Sequence, residues 1–148
     1  MRTLANAEDR AATLRRLEAL TPDASRKWGR MSVGKMLCHL ADGLRMGHGE
    51  IAPKPLGRVI FTVFPLKHLI LRVLPFPKNV STSPELLATE PTSFDADRAT
   101  VHSLVERFAS SPKAGVGPRH PFFGVLTHPE WALLQWRHLD HHLRQFGA

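Results

Sequence analysis

The stretch THPEWALLQWRHLDHHLRQF, residues 127–146, constrains the fold more than any other part of the sequence. Thr127 followed three positions later by Glu130 is the capping-box pattern of a helix start, and Pro129 falls in the first turn, where its missing N–H costs little. No Gly or Pro follows until Gly147. The pattern therefore predicts a helix that begins at Thr127 and continues to the end of this stretch.

That helix carries two histidines, His138 and His142, four positions apart, so that their side chains lie one turn apart on the same face. The other faces are mostly apolar and only one strip is charged, which predicts a helix buried over most of its circumference. Two imidazoles at this spacing can bind one ion, at about 2.0–2.1 Å each for zinc. The pair predicts a metal site, and the alternative is that a pair with this spacing occurs on a helix by chance.

The spacing of the pair also occurs in zinc proteases, but the rest of their motif is absent. In H-E-x-x-H the Glu that follows the first His is the general base. Here Leu139 takes that position, and Asp140 is directed away from the pair on a helix. We therefore exclude a zinc-protease helix, and any metal chemistry needs another acid–base group.

A third metal ligand is predicted from a second helix, residues 32–46, because two imidazoles hold a divalent ion poorly. His39 lies in the middle of this helix, at the edge of its apolar face. That face consists of Val33, Leu37, Leu40 and Leu44. His39 is therefore the best candidate to complete a site with His138 and His142. The alternative is that His39 and His138 are hydrogen-bonded core histidines. The adjacent Cys38 diverges from it by about 100° and is expected to be a buried, inert thiol.

Two further histidines are candidate catalytic acid–base groups. His120 begins the segment His-Pro-Phe-Phe-Gly, residues 120–124, in a predicted loop directly before the last helix, from which it can reach the site. His141 precedes His142 and lies about 100° from it around the helix. For His141 a packing contact within the fold is the alternative.

Helical patterns at four places predict the fold. A helix capped by Asn6, the helix over 32–46, a helix over 94–109 and the last helix each carry an apolar stripe at helical spacing. Residues 110–119 are predicted to form a loop. The chain is therefore predicted to be all-α, a four-helix bundle with a long helical crossover between the second and third bundle helices, in one domain spanning residues 1–148.

The crossover, residues 50–92, is rich in proline and contains a strongly apolar segment over 56–76. This segment is not a transmembrane span, because Pro65 divides it into two short helical pieces and charges interrupt it. Such an element packs on the bundle or on a second subunit, or it forms a basic amphipathic surface that touches a membrane.

Composition limits the partners. The chain of 148 residues has a formal net charge of +7 and a single Cys. The basic residues are scattered, so we expect no nucleic-acid partner and no membrane contact, whereas a small anionic substrate suits the charge. A single Cys excludes an internal disulfide and fits a cytoplasmic location.

Two segments resemble a known family. MSVGKMLCHLAD at 31–42 and HLDHHLRQF at 138–146 are similar to the DinB/YfiT-like metalloenzyme superfamily, and more narrowly to a bacterial subfamily of unknown function with His-Pro-Phe-Phe-Gly before its final helix. The resemblance covers residues 28–146. It implies a divalent metal ion in a helical bundle, held by one His of the second helix and two of the last. In this chain those positions are His39, His138 and His142.

The resemblance and the three histidines together predict a metal-dependent enzyme that acts on a small molecule. The imidazoles would hold zinc, nickel or manganese and activate a water or a small-molecule thiol, as in a thiol S-transferase or a hydrolase. Relatives in the superfamily use small bacterial thiols, so a low-molecular-weight thiol is a second expected cofactor. We also expect a homodimer. The alternative is a non-catalytic dimeric bundle with a structural or vestigial metal site and the segment 56–76 as its interface.

Overall fold

The computed structural model describes residues 1–54, 66–76, 78 and 83–148. Within these residues, five α-helices and a two-stranded antiparallel sheet follow one another along the chain. They are α1 (Ala7–Glu18), α2 (Val33–Gly47), α3 (Leu66–Arg72), α4 (Phe94–Glu106), β1 (Val116–His120), β2 (Gly124–Thr127) and α5 (His128–Gln145). Two 3₁₀ segments, Pro84–Leu87 and Arg107–Ser110, lie before and after α4.

The four long helices begin where the sequence offers a capping side chain. Asn6, Ser32 and Ser93 each accept a hydrogen bond from a backbone N–H in the first turn of α1, α2 and α4. At α5, Thr127 and Glu130 form both hydrogen bonds of a capping box. These side chains satisfy amide groups that a helix start leaves without partners. The helix starts predicted at Asn6, Ser32 and Thr127 are therefore confirmed.

The four long helices pack around one apolar core. α2 contacts α4 and α5, and α1 contacts the same two helices. Each helix contributes fully or almost fully buried side chains, among them Leu17, Leu37, Leu40, Leu44, Val101, Val105, Leu139 and Leu143. Burying an aliphatic side chain of this kind stabilises a fold by about 1.5–3 kcal/mol. This core holds α2 against α5, the two helices that carry the candidate metal ligands.

The all-α prediction is wrong, because residues 116–127 form an antiparallel hairpin. His120 pairs with Gly124 at the turn, and Val116 pairs with Thr127 at the open end. Gly and Pro in this stretch favour a loop in the sequence, and strands of four or five residues carry little alternating pattern. The predicted loop over 110–119 is corrected in the same way, since its last residues belong to β1. Tertiary contacts stabilise these strands.

A second apolar cluster joins the end of α2, the hairpin, α3, the first 3₁₀ segment and α5. Its buried members are Met46, Leu71, Leu86, Leu126, Trp131 and Leu134. α3 is also tied to α5 by Lys67, whose Nζ lies 3.2 Å from the Glu130 carboxylate. Of the predicted helical crossover, α3 and the 3₁₀ segment are described, whereas the first helical piece, before Pro65, lies outside the described residues. No helix in the described ranges has the length and apolar character to cross a membrane.

Candidate metal centre

Three imidazoles meet between α2 and α5. The Nε2 atoms of His39 and His138 are 2.9 Å apart, and the ring centroids of His39, His138 and His142 are 4.8–5.0 Å apart. One ring nitrogen of each residue lies within 4.8 Å of the other two. The structure thus brings together the three residues that were predicted as metal ligands.

Hydrogen bonds orient two of the three rings. Nδ1 of His39 lies 3.0 Å from the Leu86 carbonyl, and Nδ1 of His142 lies 2.8 Å from Oε1 of Gln145. Because both partners are acceptors, each Nδ1 carries the proton and donates it, which leaves a lone pair on each Nε2. The Gln145 amide is itself oriented, since its Nε2 donates to the Trp28 carbonyl at 2.8 Å. Both histidines therefore have the tautomer that a metal ligand needs.

The third ring, His138, packs against a glycine of α2. A Cβ atom on Gly43 would lie 3.1 Å from both Cε1 and Nδ1 of His138, so any other residue would push this ring by a few tenths of an ångström. The Gln135 amide donates to the Gly43 carbonyl at 2.7 Å, and its Oε1 is buried without a partner. Oε1 also lies beside Gly43. Nε2 of His138 lies 2.9 Å from the unprotonated Nε2 of His39, so it carries the proton of this hydrogen bond, and binding a metal ion through this atom releases that proton.

Burial keeps the three rings uncharged. Loss of solvent lowers the pKa of His39, lowers the pKa of His142 to about 3, and places the pKa of His138 well below its usual value. Mutual repulsion between the rings acts in the same direction for His138 and His142. At neutral pH the cluster therefore presents neutral imidazoles, the form that binds divalent cations.

His141 lies at the outer edge of this cluster. Its half-buried ring is perpendicular to that of His142, with centroids 5.1 Å apart, and it also contacts the edge of Trp28 at 5.7 Å. Burial lowers its pKa. Nζ of Lys78 lies 4.4 Å from the Trp28 ring centroid, so a cation stands near His141. The structure places this predicted acid–base group beside the candidate ligands.

His120 lies at the end of β1, not in a loop, and outside the cluster of three. The residue is 9% exposed, and its ring contacts those of Phe123 and Trp131, with centroids 4.8 and 5.4 Å away. Nδ1 accepts hydrogen bonds from the backbone N–H groups of Phe122 and Phe123, at 3.1 and 3.3 Å. Desolvation lowers the pKa of His120 to about 3.

The pKa of His120 predicts a loss of stability in acid. An unfolded His takes up a proton near pH 6.5, whereas His120 in the fold resists protonation down to about pH 3. Its contribution is therefore complete above pH 6.5 and is lost as the pH falls through this window, by about 2 kcal/mol between pH 7 and pH 5. Urea unfolding at pH 7 and at pH 5 measures the free energy of unfolding that is lost between them. This loss should be smaller in His120→Phe than in the wild type by about 2 kcal/mol. Equal losses in wild type and variant would contradict the assignment.

Sequence reasoning did not identify the groups that orient the cluster. Gln145 stands three positions after His142, and this helical spacing was a usable signal. Gly43 and Gln135 act through contacts between two helices, and Leu86 acts through its carbonyl. The sequence around these residues therefore does not predict their role beside the histidines. Two open surface clefts, of about 480 and 420 Å³, are lined by other residues of α2, α4 and the hairpin.

Gly43→Ala is expected to weaken metal affinity by about 10-fold, because the new Cβ displaces the His138 ring from its position. Alanine favours a helix by about 1 kcal/mol over glycine, which offsets part of the strain. The thermal stability of the variant should therefore change much less than its metal affinity. Gly34→Ala is the matched control on the same helix, where the new Cβ would meet Pro91 at 3.3 Å, away from the cluster. Competition with a coloured zinc chelator measures the zinc affinity of both variants. Equal affinities in the two variants would contradict the prediction.

The fold and the site together define a mixed α/β protein, mainly helical, with three neutral histidines clustered between two helices. A family model described as "Protein of unknown function (DUF1569)" matches residues 2–148. The chain therefore belongs to the DUF1569 family. No curated protein and no solved structure matches the chain. Because the family description carries no activity, a functional conclusion depends on the site.

Proposed function

We propose that the chain is a metal-dependent enzyme whose divalent ion, zinc, nickel or manganese, is bound by His39, His138 and His142. The observation that carries this proposal is the convergence of three neutral imidazoles, two of them oriented through Nδ1 so that Nε2 is free to bind. Imidazole nitrogen suits these ions. A bound ion there would supply a Lewis acid that lowers the pKa of a water or a small-molecule thiol.

The reaction class we propose is thiol S-transfer or hydrolysis on a small anionic molecule. The resemblance to DinB-like metalloenzymes supports this class and a low-molecular-weight thiol as second cofactor. The net charge of +7 and Lys78 near the cluster favour an anionic substrate. His141 is the acid–base group beside the ligands. A cytoplasmic homodimer remains part of the proposal.

A second candidate is a non-catalytic protein with a structural or vestigial metal site. It is favoured by the burial of His39 and His142, which are 6% and 8% exposed, since structural sites are closed to solvent. The two candidates differ in what the metal does for folding. The apolar core between α1, α2, α4 and α5 is formed without the three histidines, so an enzyme of this kind should remain folded after chelation.

Metal analysis of protein purified without a histidine tag tests the premise of both candidates. We expect close to one equivalent of zinc, nickel or manganese after purification or reconstitution. Less than about a tenth of an equivalent, with no uptake of any of the three ions, would refute metal binding. Circular dichroism after chelation then separates the candidates, because retained helicity supports the enzyme and unfolding supports the structural site.

A further inference from the structure

The proton of His120 is assigned by its backbone contacts. Nδ1 accepts from two amide N–H groups, those of Phe122 and Phe123, so it carries no proton. A neutral imidazole must then carry its proton on Nε2. The tight turn of the hairpin and the aromatic neighbours, Phe123 and Trp131, hold the ring in this orientation. His120 therefore presents a hydrogen-bond donor of fixed direction.

This donor has no acceptor within the described part of the chain, although the residue is nine-tenths buried. A donor that the protein leaves without an acceptor is available to a ligand oxygen or to water. The polar side-chain atoms that are fully enclosed and unpartnered are Asp42 Oδ2 and Gln135 Oε1, among the described residues. Nε2 of His120 is not one of them and so borders accessible space.

His120 and the candidate metal centre border the same apolar cluster. Trp131 and Phe123 belong to this cluster and contact the His120 ring. Leu86 contributes its side chain to the same cluster and its carbonyl to His39. The charge of His120 is also among the causes that lower the pKa of His138. The His120 ring and the three imidazoles therefore border one apolar cluster.

We propose that His120 is a neutral hydrogen-bond donor that binds, through Nε2–H, a carbonyl or carboxylate oxygen of the molecule held at the three-histidine site. This role rests on the proposed function, and it differs from the acid–base role predicted from the sequence. Nδ1 cannot take a proton without losing two amide hydrogen bonds, and Nε2 already carries one. A neutral donor aimed at an oxygen stabilises negative charge there and does not repel a nearby cation. The low pKa of His120 agrees with this role.

The tautomer is tested first, in metal-free protein. Nitrogen-15 NMR of the histidine side chains should show His120 as the neutral Nε2–H form throughout pH 5–8. A proton on Nδ1, or a charged ring at pH 6, would overturn the proposal.

Ligand binding is tested next, in cobalt-loaded protein followed by visible absorption. The probes are acetate, malonate, succinate and glutarate, which vary the distance between the ion and a second oxygen acceptor. At least one dicarboxylate should bind about 10-fold less tightly to His120→Phe. Phenylalanine suits the aromatic surroundings but lacks the Nε2–H donor, and it also lacks the acceptor for the Phe122 and Phe123 amides. His120→Gln restores an N–H donor and should bind within about threefold of wild type. His102→Phe, on α4, is the control for substitution of a histidine elsewhere.

The outcomes separate this inference from the proposed function. Cobalt uptake with equal dicarboxylate affinities in wild type and His120→Phe would overturn the donor role and leave metal binding intact. Loss of binding in His120→Gln to the level of the Phe variant would also overturn it. Absence of cobalt uptake by the wild type would overturn the proposed function and, with it, this role. Melting temperatures identify a variant that fails to fold. If either His120→Phe or His120→Gln fails, the dicarboxylate affinity of the other variant tests the donor role.

Discussion

Replacing His138 with alanine is expected to lower the affinity for zinc by at least about 100-fold, above the 10–100-fold typical for loss of a group outside the coordination shell. Nε2 of His138 lies 2.9 Å from Nε2 of His39, so the substitution removes one of three converging nitrogens. The two that remain come from different helices, one from α2 and one from α5. Two imidazoles on separate elements hold a divalent ion poorly.

The measurement for His138→Ala is competition with a coloured chelator, in protein without a histidine tag. His102→Ala is the matched control, because His102 is partly exposed on α4 and its Nε2 lies 3.4 Å from the Glu18 carboxylate at the surface. The control should bind zinc as the wild type does. Zinc affinity that survives in His138→Ala would show that the ion binds elsewhere and would remove the basis of the proposed enzyme.

Replacing Trp131 with alanine is expected to lower the free energy of unfolding by about 3–5 kcal/mol. Trp131 is 1% exposed, and its indole N–H donates to the Pro118 carbonyl at 2.8 Å. A Cβ on Gly117 would lie only 2.8 Å from the indole ring, which shows how closely the hairpin packs against α5. The substitution therefore leaves a cavity and also removes a hydrogen bond and a close packing contact between β1 and α5.

Urea unfolding measures this effect, with Trp136→Ala as the control. Trp136 lies on the same helix, is half-buried and contacts Arg2 at the surface, so its loss should cost about 1 kcal/mol. Equal losses in the two variants would mean that the hairpin is not stabilised through Trp131. A changed slope of free energy against urea would instead indicate that the hairpin detaches before the helices unfold.

The helices and the hairpin show why parts of the fold could be predicted and others could not. Ser32 and Thr127 act on amide groups within one turn of the chain, so their effect is visible in a short stretch of sequence. The hairpin depends on contacts such as that between Gly117 and Trp131, which join different elements. The propensity of Gly and Pro for loops is weaker than these contacts, and the prediction of an all-α fold was wrong for that reason.

The candidate site could also be predicted only in part from the sequence. The spacing of His138 and His142 places them on one face of any helix. The participation of His39 in the cluster, in contrast, depends on α2 packing against α5. The tautomers of His39 and His142 follow from the Leu86 carbonyl and the Gln145 amide. A sequence contains no record of which ring nitrogen carries a proton, because the partner atom decides it.

By itself, the sequence determined where the long helices begin and which histidines share a helical face, since caps and helical spacing act over a few residues. Only the tertiary structure decided that His39 meets His138 across 99 positions of chain, that residues 116–127 pair as strands, and that His120 holds its proton on Nε2. These features depend on distances between atoms far apart in sequence, and packing of the whole core sets those distances.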